Sequence, residues 1–163
     1  IRAELGEPTP PPPASDVPLG TDPNHPMPLA IGLNKGNLAA GQEYWFSLVR
    51  DDYDKEAFEE MSLSLFFTPD DGNRKYDVSF DIFPGEQLHV WQRGDTDKLR
   101  NVGAGSIVSR DGDPNTGEMM WHGWLVDNET YYIKLSNRTD VDIDYWFFTA
   151  DVLFPELGEL SAP

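Results

Sequence analysis

From about Leu29 onward, apolar and polar residues alternate in short runs broken by Gly, Asn and Asp. The clearest run is YDVSFDIF at 76–83. It places Tyr76, Val78, Phe80 and Ile82 on one side and Asp77, Ser79 and Asp81 on the other. Successive side chains of a strand point to opposite faces, so a period of two predicts a strand with one face in a core. MSLSLFF at 61–67 does the same, with Met61, Leu63, Leu65 and Phe67 opposite Ser62 and Ser64. EYWFSLV (43–49), QLHVWQ (87–92), GSIVS (105–109), MMWHGWLV (119–126), TYYIKLS (130–136) and DYWFFTADV (144–152) bring the total to about eight strands. YDKEAFEE (53–60) alone reads as helix, about two turns, with Asp51 or Asp52 as its cap. Strands in succession without alternating helices predict an all-β fold, an antiparallel sandwich or jelly roll.

In the closing hairpin, Tyr131, Ile133 and Leu135 are assigned to the core from the penultimate strand. Trp146, Phe148 and Ala150 are assigned to it from the last. Alternation leaves Trp45, Phe66, Trp91 and Tyr132 on the faces opposite the core residues. Trp121 and Trp124 are three apart, so both cannot face inward on a regular strand. One of them either follows a bulge near Gly123 or faces out.

Residues 1–28 have a different texture. EPTPPPPASDVPLGTDPNHPMP holds most of the 14 prolines, and Pro10 to Pro13 predict a polyproline II segment. We expect a linker or an extended arm packed on the domain, with a ligand for a proline-binding groove as the less economical reading. The sandwich then spans 29–155 and a tail spans 156–163. The chain reads as a piece of a longer protein.

Charge narrows the partners. The net charge is -17, and 12 Lys and Arg are spread over the whole chain. A surface that neutralises phosphates needs those residues clustered, so neither nucleic acid nor an anionic membrane is an expected partner. An acidic surface suits cations and basic partners, or is simply solvated. The chain has no cysteine, which removes disulfides, thiolate zinc sites and a cysteine nucleophile. There is no apolar run of the length a membrane span requires. Neither a G-x-S-x-G elbow nor an H-E-x-x-H helix accompanies the three histidines His25, His89 and His122, so no enzyme activity is expected.

GLNKGNLAAGQEYWFSLV (32–49), YDVSFDIFPGEQLHVW (76–91) and ETYYIKLSNRTDVDIDYWFFTADV (129–152) resemble the bacterial pre-peptidase C-terminal domain over residues 29–152. That resemblance implies a secreted, non-catalytic accessory domain with a jelly-roll-like sandwich, in some cases with calcium.

Three kinds of candidate site follow. RDGDPNTGE (110–118) gathers Asp111, Asp113, Asn115 and Glu118 in one loop, an oxygen-rich set suited to calcium. His122 stands where an EF-hand would close with Glu, so it is not that motif. PDDGN (69–73) and DVDID (140–144) are lesser clusters. All three also fit turns in which Asp and Asn bond their own backbone. Second, outward Trp45, Phe66, Trp91, Tyr132 and Trp124 would stack on a polysaccharide or bury against a protein, with the N-terminal arm or a neighbouring chain covering some of them. Replacing Trp45 or Trp91 by Ala should then weaken that contact without unfolding the domain. Third, Asn128 and Asn137 each open an N-x-T sequon at a turn position, where a surface glycan fits. Together these predict a non-catalytic extracellular, cell-surface or periplasmic module. It would contact a protein partner or another copy through a sheet face or edge, with calcium stiffening its loops. The rivals are a carbohydrate-binding module using exposed Trp and Tyr, and a hydrolase with a loop-built site.

Overall fold

A computed structural model describes residues 17–49, 58–70, 77–108, 115–126 and 129–151. Within them the chain forms a two-sheet sandwich. The strands are β1 (Met27–Pro28), β2 (Gly32–Leu38), β3 (Glu43–Val49), β4 (Phe58–Thr68), β5 (Val78–Pro84), β6 (Gly103–Ala104), β7 (Ser106–Ile107), β8 (Gly117–Val126), β9 (Thr130–Asn137) and β10 (Ile143–Asp151). The first sheet has the order β1-β3-β9-β5-β6 and the second β2-β10-β4-β8-β7. Every pairing is antiparallel except β1 with β3.

The core follows the alternation. Phe46 and Leu48 of β3, Val78, Phe80 and Ile82 of β5, and Tyr131, Ile133 and Leu135 of β9 face inward from the first sheet. Opposite them are Met61, Leu63, Leu65 and Phe67 of β4, Met119 and Leu125 of β8, and Ile143, Tyr145 and Phe147 of β10. Phe147 joins the layers. Its ring lies 5.1 Å from that of Phe80, edge-on, and 5.8 Å from that of Phe46. Aromatic pairs at such separations stabilise beyond the area they bury.

Three expectations are corrected. First, Trp146 and Phe148 do not face the core, because Tyr145, Phe147 and Thr149 do. Residues 145–148 are aromatic at both parities, so alternation is silent there. The inward Ile143 and the exposed Asp144 set the register. Second, QLHVWQ is a helix, α1 (Gln87–Gln92), followed by a 3-10 turn at Thr96–Lys98. A run of six residues satisfies either period, and here Leu88 and Trp91, three apart, turn toward the same surface. Third, Phe58 to Glu60 begin β4, so the C-terminal end of the expected helix is strand. The remainder of that helix, 53–57, lies outside the described residues.

The described part of the proline-rich segment is a packed arm rather than a free linker. Pro10 to Pro13 lie outside the described residues. From Gly20 the arm runs beside β3: the Trp45 amide donates to the Gly20 carbonyl at 2.7 Å, and the Leu29 amide to that of Ser47 at 2.8 Å. Gly20 has φ of +93°, and a Cβ there would lie 2.3 Å from the Tyr44 ring, so this crossing needs glycine. The arm's turn is held by Asp22, whose Oδ1 accepts from the amides of Asn24 and His25.

Candidate contact surfaces

The outer face of the first sheet carries Trp45, Tyr132 and Phe83, one from each of three neighbouring strands. Trp91 and Leu88 descend on them from α1, with Pro23 of the arm and Leu99 at the margins. The rings of Trp45 and Phe83 are 5.7 Å apart. About 10 Å³ is left open between these side chains, no more room than one water needs. Lys134 closes another side, its ammonium 5.8 Å from the Trp45 ring and 5.9 Å from that of Phe83. Three of the five expected binding residues therefore do meet, but they pack on one another. Trp45 is 4% exposed, which corrects its assignment as a presented ring and removes it as a platform for sugar stacking. Trp91 and Tyr132 are half-buried in the same cluster.

On the second sheet no described element lies over the outer face. The register aligns Leu33 of β2 with Phe148 of β10, Ser64 of β4 and Met120 of β8 in one row. Leu33, Phe148 and Met120 are 48%, 39% and 42% exposed. The next row is Lys35, Trp146, Phe66 and Glu118. Phe66 stands edge-on to Phe148 at 5.9 Å. Farther along β8, Trp124 is 61% exposed and opposite Glu60, whose carboxylate lies 2.6 Å from His122 Nε2. Phe66 was legible from alternation, whereas for Trp121 and Trp124 alternation said only that one faces out or follows a bulge; β8 runs without a bulge near Gly123, with Trp121 turned in and Trp124 out. Leu33, Met120, Trp146 and Phe148 were missed. Asp144, just before the aromatic run, was the signal that would have placed the last two. β2 is also an edge: its seven residues pair with β10 on one side, and no described strand pairs on the other.

Of the remaining candidates, Glu118 and Asn137 sit at strand ends and Asn115 just before β8. Asp111, Asp113 and Asn128 lie outside the described residues. Asn115 is exposed, and its carbonyl accepts from the Asp70 amide at 2.7 Å. Glu118, at the start of β8, is buried. Among the described residues no three acidic or histidine side chains come together to hold a metal, so Asn115 and Glu118 do not make a calcium site by themselves. Asn137 is corrected outright as a surface acceptor of glycan, being 0% exposed. Its Nδ2 donates to the carbonyls of Leu38, Ala39 and Val141 at 3.0, 3.2 and 2.9 Å. Its Oδ1 accepts from the amide and hydroxyl of Thr139. A glycan on that nitrogen would have to displace these bonds.

Burial shapes three tyrosines. It raises Tyr44 and Tyr131 above the ordinary phenol range. It pushes Tyr145 up to about 12, with the neighbouring Tyr44 adding to the rise.

Neither a family model nor a curated protein matches the chain. Among solved structures it is similar to the pre-peptidase C-terminal domain of collagenase from Bacillus anthracis. That similarity has 12% identity over 76% of this chain and 93% of that one, with a TM-score of 0.45. The solved domain carries the name of the family that the sequence resembles. The sandwich assignment rests on the strand pairing itself. Among the described residues no helix is long and apolar enough to cross a membrane.

Proposed function

We propose that the chain is a non-catalytic module, working outside the cell or at its surface, that binds a protein partner through the outer face of its second sheet. The observation that supports this reading is the asymmetry between the two outer faces. The first is covered by α1 and the arm. The second leaves Leu33, Phe148 and Met120 in solvent beside Phe66 and Trp146. Apolar side chains aligned across four strands gain free energy when a partner removes them from water. The edge of β2, which no described strand pairs, offers amides and carbonyls for an added strand. Ile31, 61% exposed just before that edge, extends the apolar margin.

A photo-crosslinking residue placed at 148 tests the reading in the parent organism's extracellular fraction. We expect one discrete adduct, to a protein partner or a second copy, and none when the same group replaces Asp97 beyond α1. Equal adducts at both positions, or none at either, would contradict it. Calcium belongs to the proposal as a stiffener of the 110–118 loop, held by Asp111, Asp113, Asn115 and Glu118. Melting with calcium and with chelator tests it: binding to the folded form alone must raise the melting temperature, and identical curves would remove calcium.

A further inference from the structure

Beside the packed cluster under α1, the same face of the first sheet opens into a pocket of about 340 Å³. Phe83, Leu99 and Thr96 line it, with Phe83 buried and Leu99 half-buried. Its walls are Asp81, Lys134, Arg100 and Asn101. Asp81 and Lys134 sit directly opposite each other on β5 and β9. Asn101 comes from the segment after the 3-10 turn, and its Nδ2 donates to Asp81 Oδ1 at 2.9 Å. The Arg100 amide is fixed by Gln87 Oε1 of α1 at 2.9 Å, while the residue itself is exposed. The β5–β6 connection that carries α1 therefore does two things. It seals Trp45, and it brings an arginine and an amide to the rim of an open, polar concavity.

We infer that this pocket is a binding site for a sugar ring bearing one carboxylate, of the uronic-acid type. The chemistry of the walls selects that class. Two cations, Arg100 and Lys134, line it in a chain that holds 12 Lys and Arg against 29 Asp and Glu. A carboxylate takes charge-assisted hydrogen bonds from both, and the arginine fork is shaped for it. The pocket is not simply cationic. Asp81 lines it, and Glu43 Oε1 is 3.9 Å from the Lys134 ammonium. A compact, multiply charged anion such as phosphate is repelled by these carboxylates. A ligand with one carboxylate and several hydroxyls satisfies both sets, since hydroxyls donate to Asp81 and accept from donors on the rim. The half-buried Leu99 gives the apolar C–H face of a sugar ring a contact in the pocket. The volume lies at the small end of the range for ligand pockets, about 300–1,000 Å³, and fits a single ring better than a long chain. The net charge of -17 also disfavours a long polyanion, so the site would take a terminal or isolated uronic residue. This inference does not depend on the second sheet's face, which lies on the other side of the sandwich.

Amide NMR titration of the full chain with D-glucuronate and D-galacturonate tests it. The expected result is saturable shifts at Arg100, Asn101 and Lys134 for at least one of them, with Kd of about 1 mM for so small a ligand. D-Glucose, lacking the carboxylate, should bind at least about tenfold more weakly. Arg100→Gln should weaken uronate binding by about tenfold and leave the melting temperature unchanged, because the side chain is exposed. Any of four results would overturn the proposal: no saturable shift with either uronate, shifts mapping away from this pocket, glucose or inorganic phosphate binding as tightly as the uronate, or Arg100→Gln binding like the parent.

Discussion

Asn137 shows how much one polar side chain can organise. It ends β9 of the first sheet, and its amide nitrogen reaches carbonyls at the end of the second: Leu38, the last residue of β2, Ala39 after it, and Val141 in the turn before β10. Replacing Asn137 by Ala leaves those carbonyls short of a donor in a buried place. We expect a loss of about 2–4 kcal/mol, read as a lower urea midpoint with an unchanged slope. A midpoint within error of the parent would show that water replaces the side chain freely. Tyr145 carries a pH dependence. Its phenol ionises at about 12 in the folded chain and near 10 when unfolded. Between these values the folded form binds more protons, so stability falls as pH rises. The contribution is whole below pH 10 and is lost as pH climbs through 12, amounting to about 2–3 kcal/mol. Tyr145→Phe should flatten the alkaline decline in denaturant titrations, and an unchanged decline would assign it to other groups.

Two elements decide what the molecule presents. Helix α1 and the arm convert Trp45 from a surface ring into part of a second, smaller core. Trp45→Ala should therefore cost about 3–5 kcal/mol, as large-to-small changes at buried aromatics do. Loss of less than about 1 kcal/mol would mean that the ring is presented after all. At the start of β8, a Cβ on Gly117 would lie 2.1 Å from the Phe67 ring, which is itself fully buried. Gly117→Ala should cost about 1–3 kcal/mol in the same assay, and a neutral result would show that the ring has room to move. The facing of β4, β5 and β9 was legible because one parity was apolar and the other mostly polar, while β3 and β8 carry apolar residues at both. The last strand's facing was not legible, since YWFF is apolar at both parities. The fate of Trp45 was hidden for another reason: its cover comes from residues about 40 positions away in α1 and about 20 away in the arm, and no local pattern reports such a contact. The buried Asn137 was hidden likewise, because a sequon and a turn-closing asparagine look the same in the sequence.

At the scale of the whole molecule, 29 acidic against 12 basic residues oppose compaction. Raising sodium chloride from low ionic strength should screen that repulsion and raise the melting temperature, most steeply while the Debye length is still about 10 Å or more. The same charge opposes stacking of two copies through the second sheet and favours a partner with basic residues around an apolar centre. The sandwich thus has one face partly covered by α1 and the arm and one that no described element covers, and the five tryptophans report on both. Their indole N–H signals, measured against increasing amounts of a soluble paramagnetic agent, test that division most directly. We predict that Trp124 broadens first, with Trp45 surviving to the highest concentration. Broadening of Trp45 as early as Trp124 would contradict it.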